Sequence, residues 1–179
     1  MLRKELYTRV PDGFAVDDFF IGMNVLAQNK DAILSRHAVC LEDVSHDIEQ
    51  EHRRKRRIAN GNFQNLKALF SKFLNPFSAA AFCFFSHKIL RWFGPVLMLV
   101  AFVCNLFLLG NNLYNVLLFL QLFGLAWTAV DSSLLKRDIG SGALRYITYF
   151  CRMNAALLEG LFDFIKGKKA HVWEPTKRN

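Results

Sequence analysis

Two groups of residues have the types and spacing for chemistry. Asp17 and Asp18 are adjacent carboxylates that follow a Pro11-Asp12-Gly13 turn signal and open a stretch with helical apolar spacing, Phe19, Phe20, Met23 and Leu26. Carboxylates at a helix start either accept backbone N–H bonds and meet the positive end of the helix dipole, or serve as a catalytic base. The second group is the run of five cations from Arg53 to Arg57, within the stretch Glu51 to Leu66. Such a run binds phosphate, on a lipid headgroup or a substrate, or acts as an electrostatic stop beside membrane helices. His46, His52 and His87 lack Cys or carboxylate partners at ligand spacing, so no metal site is expected. Cys40, Cys83, Cys104 and Cys151 form no C-x-x-C pair and read as reduced, packed thiols.

The elements that must position these groups follow from a segregated composition. The 179 residues are 53% hydrophobic with 18 Phe, yet carry a net charge of +8. Apolar and basic residues in separate blocks describe a membrane protein with a cytoplasmic face better than a nucleic-acid binder, and no DNA- or RNA-reading motif accompanies the charge. The first residues show no cleavable signal peptide, and no repeat is present.

Four regions are expected: 1–44 as a short α/β unit, 45–91 as the basic run with interfacial helices, 92–130 as a transmembrane hairpin, and 131–179 as a third apolar helix with a cytoplasmic tail. In the first, the helix begun by Asp17 and Asp18 ends near Gln28-Asn29-Lys30, and Ala32 to Leu34 and Ala38 to Leu41 read as short strands. In the second, Ser45 caps a helix carrying Ile48, Glu49, His52 and the cations. Asn60-Gly61 breaks it, and Asn62 caps a new helix with Phe63, Leu66, Leu69, Phe70, Phe73 and Leu74 on one face. That amphipathic helix suits the headgroup plane, with a core helix as the other reading. Pro76 ends it, and Trp92 is expected at headgroup depth.

No charged residue occurs between Trp92 and Val130, and Gly110-Asn111-Asn112 divides this run into two helices, Trp92 to Leu109 and Leu113 to Val130. Each is roughly 27 Å long at 1.5 Å per residue, against a hydrocarbon core of about 30 Å. Asn105 and Gln121 are expected to hydrogen-bond across the pair, since an unpaired amide in lipid is costly. Lys88 and Arg91 before the pair, and Lys136 and Arg137 after it, put both ends in the cytoplasm. Tyr146 to Ile165 is apolar but carries Arg152, Glu159 and Asp163 on one stripe, with Arg145 before it and Lys166, Lys168 and Lys169 after it. A helix packed on the hairpin or lying partly in the interface is expected, with a full third span as the alternative.

In order and layout the chain resembles the C-terminal part of a membrane-bound family 2 glycosyltransferase, the group of bacterial polysaccharide, hyaluronan and cellulose synthases. Val16-Asp17-Asp18-Phe19-Phe20 stands where that family carries Thr-Glu-Asp, so Asp18 matches the aspartate used as base toward the acceptor hydroxyl, and Asp17 replaces the glutamate. Arg54-Lys55-Arg56-Arg57-Ile58 stands where Gln-x-x-Arg-Trp lies: Arg57 matches the arginine, and Arg54 and Ile58 depart from the Gln and Trp. The missing Trp argues against processive polymer synthesis. The resemblance implies inverting transfer from a nucleotide sugar to a glycan or lipid acceptor, with Arg54 and Arg57 on the diphosphate or acceptor. It places the protein in the inner (cytoplasmic) membrane, multi-pass, against membrane lipid. The family's divalent metal (Mg or Mn) and the nucleotide sugar are held by an upstream sheet with an Asp-x-Asp motif, which this sequence lacks. The expectation is therefore an incomplete enzyme, inactive alone, with no cofactor of its own. A small non-catalytic membrane protein, binding anionic lipid or a partner through its basic segment, is the other reading.

Overall fold

The computed structural model describes residues 2–33, 35, 37–40, 47–75, 78–135 and 142–168. It is mainly helical, and no strand occurs among the described residues. Helix α1 spans Asp17–Ala27 and ends at Gln28, with Asn29 in the left-handed region at φ 55°. The strands expected after it are not formed among the described residues. Ala32, Ile33 and Ala38 to Cys40 are exposed, Ile33 90% and Val39 81%, because no neighbouring strand offers them a ladder. The α/β unit is thus reduced to its helix among the described residues, with Leu34 and Leu41 outside them.

Helix α2 runs unbroken over Ile48–Leu69, straight through Asn60-Gly61, and a 3-10 turn Phe70–Phe73 continues it. Its cap is Asp47, which accepts from the Glu49 N–H at 2.9 Å; Ser45 lies outside the described residues. Gly61 is a packing notch: a Cβ there would stand 2.7 Å from Val16 Cγ2 and 3.0 Å from Ala15 Cβ. The glycine that locally resembles a helix breaker is required by close approach of the chain before α1.

Helix α3, Ala79–Trp92, contains a π-helical stretch Phe84–Ile89. At Phe93 the chain bends by 61° into α4, Gly94–Phe107, where Pro95 sits in the first turn and its missing N–H costs nothing. Helix α5 spans Asn112–Leu135 and α6 spans Arg145–Ile165.

The core lies where α1, α2 and α3 meet. Phe20, Met23, Phe63, Leu69, Phe73, Phe84 and Trp92 are all buried there. Edge-to-face rings hold the seams: Phe19 against Trp92 at 5.6 Å, Phe63 against Phe93 at 5.4 Å and Phe14 against Phe20 at 5.3 Å. Two expectations change accordingly. Trp92 packs in the core at 4% exposure, and the face of Phe63, Leu69 and Phe73 is covered by α1 and α3, leaving Phe70 and Leu74 exposed. The core-helix reading holds for that stretch, because covering those rings with protein removes them from water as a bilayer surface would.

Helices α4 and α5 pack against each other, and Asn105 Nδ2 donates to Gln121 Oε1 at 3.0 Å, as expected of two amides in apolar sequence. Most of their other side chains are exposed, including Leu99, Phe107, Leu113 and Phe119. By length and composition α5 is long and apolar enough to cross a membrane. With only 14 residues, roughly 21 Å, α4 reaches that length only when joined with α3 across the bend. The two equal arms read from sequence are therefore unequal, because the chain turns at Phe93-Gly94 and runs helical past Val130.

Candidate functional site

The site is built on α2. The segment before α1 lies across its middle: the Ala15 N–H donates to Gln64 Oε1 at 3.4 Å, and Asn65 Nδ2 donates to the Val16 carbonyl at 2.8 Å. With Gly61 closing the contact, α1 begins beside residues 61 to 65 of α2. Arg57 stands four residues before Gly61 and seven before Gln64, on the same side of the helix and about 6 Å along its axis from Gly61. The basic run and the start of the aspartate-bearing helix thus share one region of the fold.

Asp17 and Asp18 are exposed there and neither caps the helix. The N-cap is Val16, without a side-chain bond, and each aspartate only accepts from the N–H of the next residue, Asp18 at 2.9 Å and Phe19 at 2.7 Å. They still lie in the first turn, where the helix dipole favours negative charge. No hydrogen bond or ion pair joins either of them to Arg57 among the described residues.

The cations divide into engaged and unengaged. Arg54 and Lys55 reach back to Glu51 at 3.8 and 3.3 Å. Arg56 turns the other way, onto α6. Its guanidinium takes Asp163 with two nitrogens, Nε at 2.5 Å and Nη2 at 2.9 Å, and Glu159 with Nη1 at 3.0 Å. Arg53 and Arg57 have no ion pair among the described residues. Of the two arginines that the resemblance assigns to diphosphate or acceptor, Arg57 is unengaged among the described residues and Arg54 is paired.

The α2–α6 seam is the most extensive helix contact and was not foreseen. Arg152 pairs with Glu49, His52 Nε2 lies 3.6 Å from Glu159, Lys168 Nζ lies 3.0 Å from Asp163, and Asn60 Nδ2 donates to the Lys168 carbonyl at 3.0 Å. The hydrogen bond from Arg56 holds the Asp163 carboxyl at about 2, well below its usual range, with Lys168 adding to the effect. The same contact raises the Arg56 guanidinium. Ala59 and Ala156 are buried where the helices cross, and Gly160 lets them meet: a Cβ there would lie 2.5 Å from Ala59 Cβ and 2.6 Å from the Arg56 carbonyl. Sequence did carry a signal for this seam. Glu49, His52 and Arg56 fall at i, i+3 and i+7, the counterpart of the Arg152, Glu159, Asp163 stripe.

Beside the seam a cleft of about 400 Å³ is lined by Asn60, Gln64, Lys67, Phe164 and Lys168, with Gln64 shared between the cleft and the contact with Ala15. Among the described residues no three of His, Cys, Asp and Glu come together to hold a metal. Asp17 and Asp18 alone do not supply the coordination that a divalent ion needs, so no step here runs through one.

A family model described as Glycosyl transferase family group 2 matches residues 1–152, a span that includes α1, the basic run and α2 to α5. No curated protein and no solved structure matches the chain. With most of its length covered by that one match, the chain belongs to glycosyl transferase family group 2.

Proposed function

We propose that this chain is the acceptor-side and membrane-anchoring portion of an inverting glycosyltransferase, inactive until a separate donor-binding domain joins it. In the reaction an acceptor hydroxyl attacks the anomeric carbon of a nucleotide sugar. A new C–O bond forms, the bond to the diphosphate breaks, the hydroxyl proton passes to the Asp18 carboxylate and the nucleoside diphosphate leaves. Arg57 steadies the charge that grows on the leaving diphosphate, and Asp17 adds negative field beside the base. A sugar on a glycan or lipid is the acceptor; the donor's metal and nucleotide would be held by the donor-binding domain.

The observation that carries this reading is the family match, taken with an exposed, non-capping Asp18 whose helix begins a turn from an unengaged Arg57. Helix α5 is read as crossing the cytoplasmic membrane with α4 as its partner in the hairpin, and residues 1–91 are read as lying on the cytoplasmic side. Their exposed apolar side chains and the absence of charge between Trp92 and Val130 support this. Cysteine placed at Asn111 and at His52 should be labelled from opposite sides of the membrane.

The direct test fuses the chain behind a donor domain and measures sugar-nucleotide turnover. Asp18→Asn should lower it by about a hundredfold or more while the fusion still folds and inserts. Undiminished turnover excludes Asp18 as base. Inactivity of every fusion, together with tight binding to anionic vesicles, favours the non-catalytic membrane protein.

A further inference from the structure

Five consecutive cations on a helix point in every direction, and something must decide which of them meets a ligand. We infer that Glu159 and Asp163 of α6 are positioning residues: by clamping Arg56 they fix the rotation of α2 so that Arg57 faces the start of α1. This rests on the reading of Arg57 as a diphosphate-binding group.

Successive residues on a helix are turned by about 100°, so one residue of rotation in α2 would put Arg57 where Arg56 meets α6, and Ile58 in its place on the side of Ala15 and Val16. Two features forbid that rotation. The carboxylate of Asp163 receives two guanidinium nitrogens of Arg56, a geometry that specifies direction as well as charge, and Glu159 takes a third. Gly160 seats Ala59 and the Arg56 carbonyl at a distance no other residue type permits, so the seam also fixes the depth of the helix. Lys168 and the Asn60 side chain close the seam one turn further on. Glu159, Gly160 and Asp163 all lie beyond residue 152, where the family match ends. The clamp is thus supplied by a part of this chain outside the matched region, acting on the basic run inside it. Arg56, adjacent to Arg57 and equally basic, becomes a structural residue, and its neutralisation removes a competing phosphate site from the helix.

The experiment uses the whole chain in detergent with inorganic diphosphate as the probe. Arginines are modified with phenylglyoxal, and the rate at each is read by mass spectrometry. Diphosphate should slow modification of Arg57 by about tenfold in the wild-type chain. In Asp163→Asn combined with Glu159→Gln the protection of Arg57 should fall below about twofold, with Arg56 newly reactive. Exchanging the partners, Arg56→Asp with Asp163→Arg, should restore protection at Arg57. Glu159→Gln alone keeps the two-nitrogen grip of Asp163 and serves as the variant that folds in any case; it should show partial loss. Helical content and thermal midpoint are followed in parallel, since a merely structural pair would move these and leave the protection ratio unchanged. Equal protection in wild type and in the folded variants overturns the positioning role while leaving Arg57 as a diphosphate group. No protection of Arg57 in the wild-type chain overturns the underlying reading, and the inference with it.

Discussion

The α2–α6 seam and the α4–α5 pair are both helix contacts in one small chain, yet they are built on opposite terms. In the seam nearly every polar group has a partner across the interface: Arg56 with Asp163 and Glu159, Arg152 with Glu49, Asn60 with Lys168. In the α4–α5 pair a single amide bridge, Asn105 to Gln121, joins helices whose leucines and phenylalanines face outward. Water between the seam helices would weaken it little by little, whereas an outward array of Leu, Phe and Val is unfavourable in water altogether. The difference teaches that the seam meets its polar groups within the chain, whereas the apolar pair turns its side chains outward, which is what supports the proposed membrane reading.

The largest perturbation should come from the point where the seam is tightest. Gly160→Val pushes a branched side chain into Ala59 and the Arg56 backbone, and should cost about 3 kcal/mol or more in thermal or denaturant unfolding, while the same change at Gly22, where nothing lies within 4 Å of an added Cβ, stays near the ordinary helix cost. Next, Asp163→Asn removes the charge opposite Arg56 and Lys168 and should cost about 2 kcal/mol. That contribution has a pH signature. Because the folded Asp163 titrates at about 2 against an ordinary 3.8, its stabilisation is present above that ordinary value and is lost as pH falls from there to about 2. Thermal midpoints of wild type and Asp163→Asn should therefore converge over that window; a constant gap would show that the Arg56 pair is not what holds the carboxyl down.

Across the other contact, a double-mutant cycle of Asn105→Leu and Gln121→Leu in micelles should return a coupling of about 1 kcal/mol. A value near zero would mean that the amides find other partners and that packing alone joins α4 to α5. The smallest effect belongs to Arg54→Gln, whose half-exposed contact with Glu51 should be within about 0.5 kcal/mol of neutral. If Arg54→Gln also leaves diphosphate protection of Arg57 intact, its assignment to the ligand is removed.

Some of this was legible beforehand and some was not. The helix from Asp17 to Ala27 follows from its apolar spacing, and the Asn105–Gln121 bond from two amides in an uncharged run, because both depend on local periodicity and on the cost of an unpaired amide in apolar surroundings. The continuity of α2 through Asn60-Gly61 was not legible. A glycine reads the same whether it ends a helix or admits a neighbouring backbone, and only Val16 packed against it tells the two apart. Trp92 and the Phe63, Leu69, Phe73 face are similar: spacing shows that such a face must be covered, without saying whether lipid or protein covers it.

By itself the sequence determined the blocks of charge and apolarity, the aspartate pair opening a helix, and the family to which these belong. Tertiary structure decided which cations are engaged, since Arg53 to Arg57 are chemically near-equivalent along the chain and become distinct only when Glu159, Asp163 and Gly160 meet one side of their helix. The physical reason is that a helix distributes neighbouring residues over its whole circumference, and the direction each one faces acquires meaning only from what is packed there.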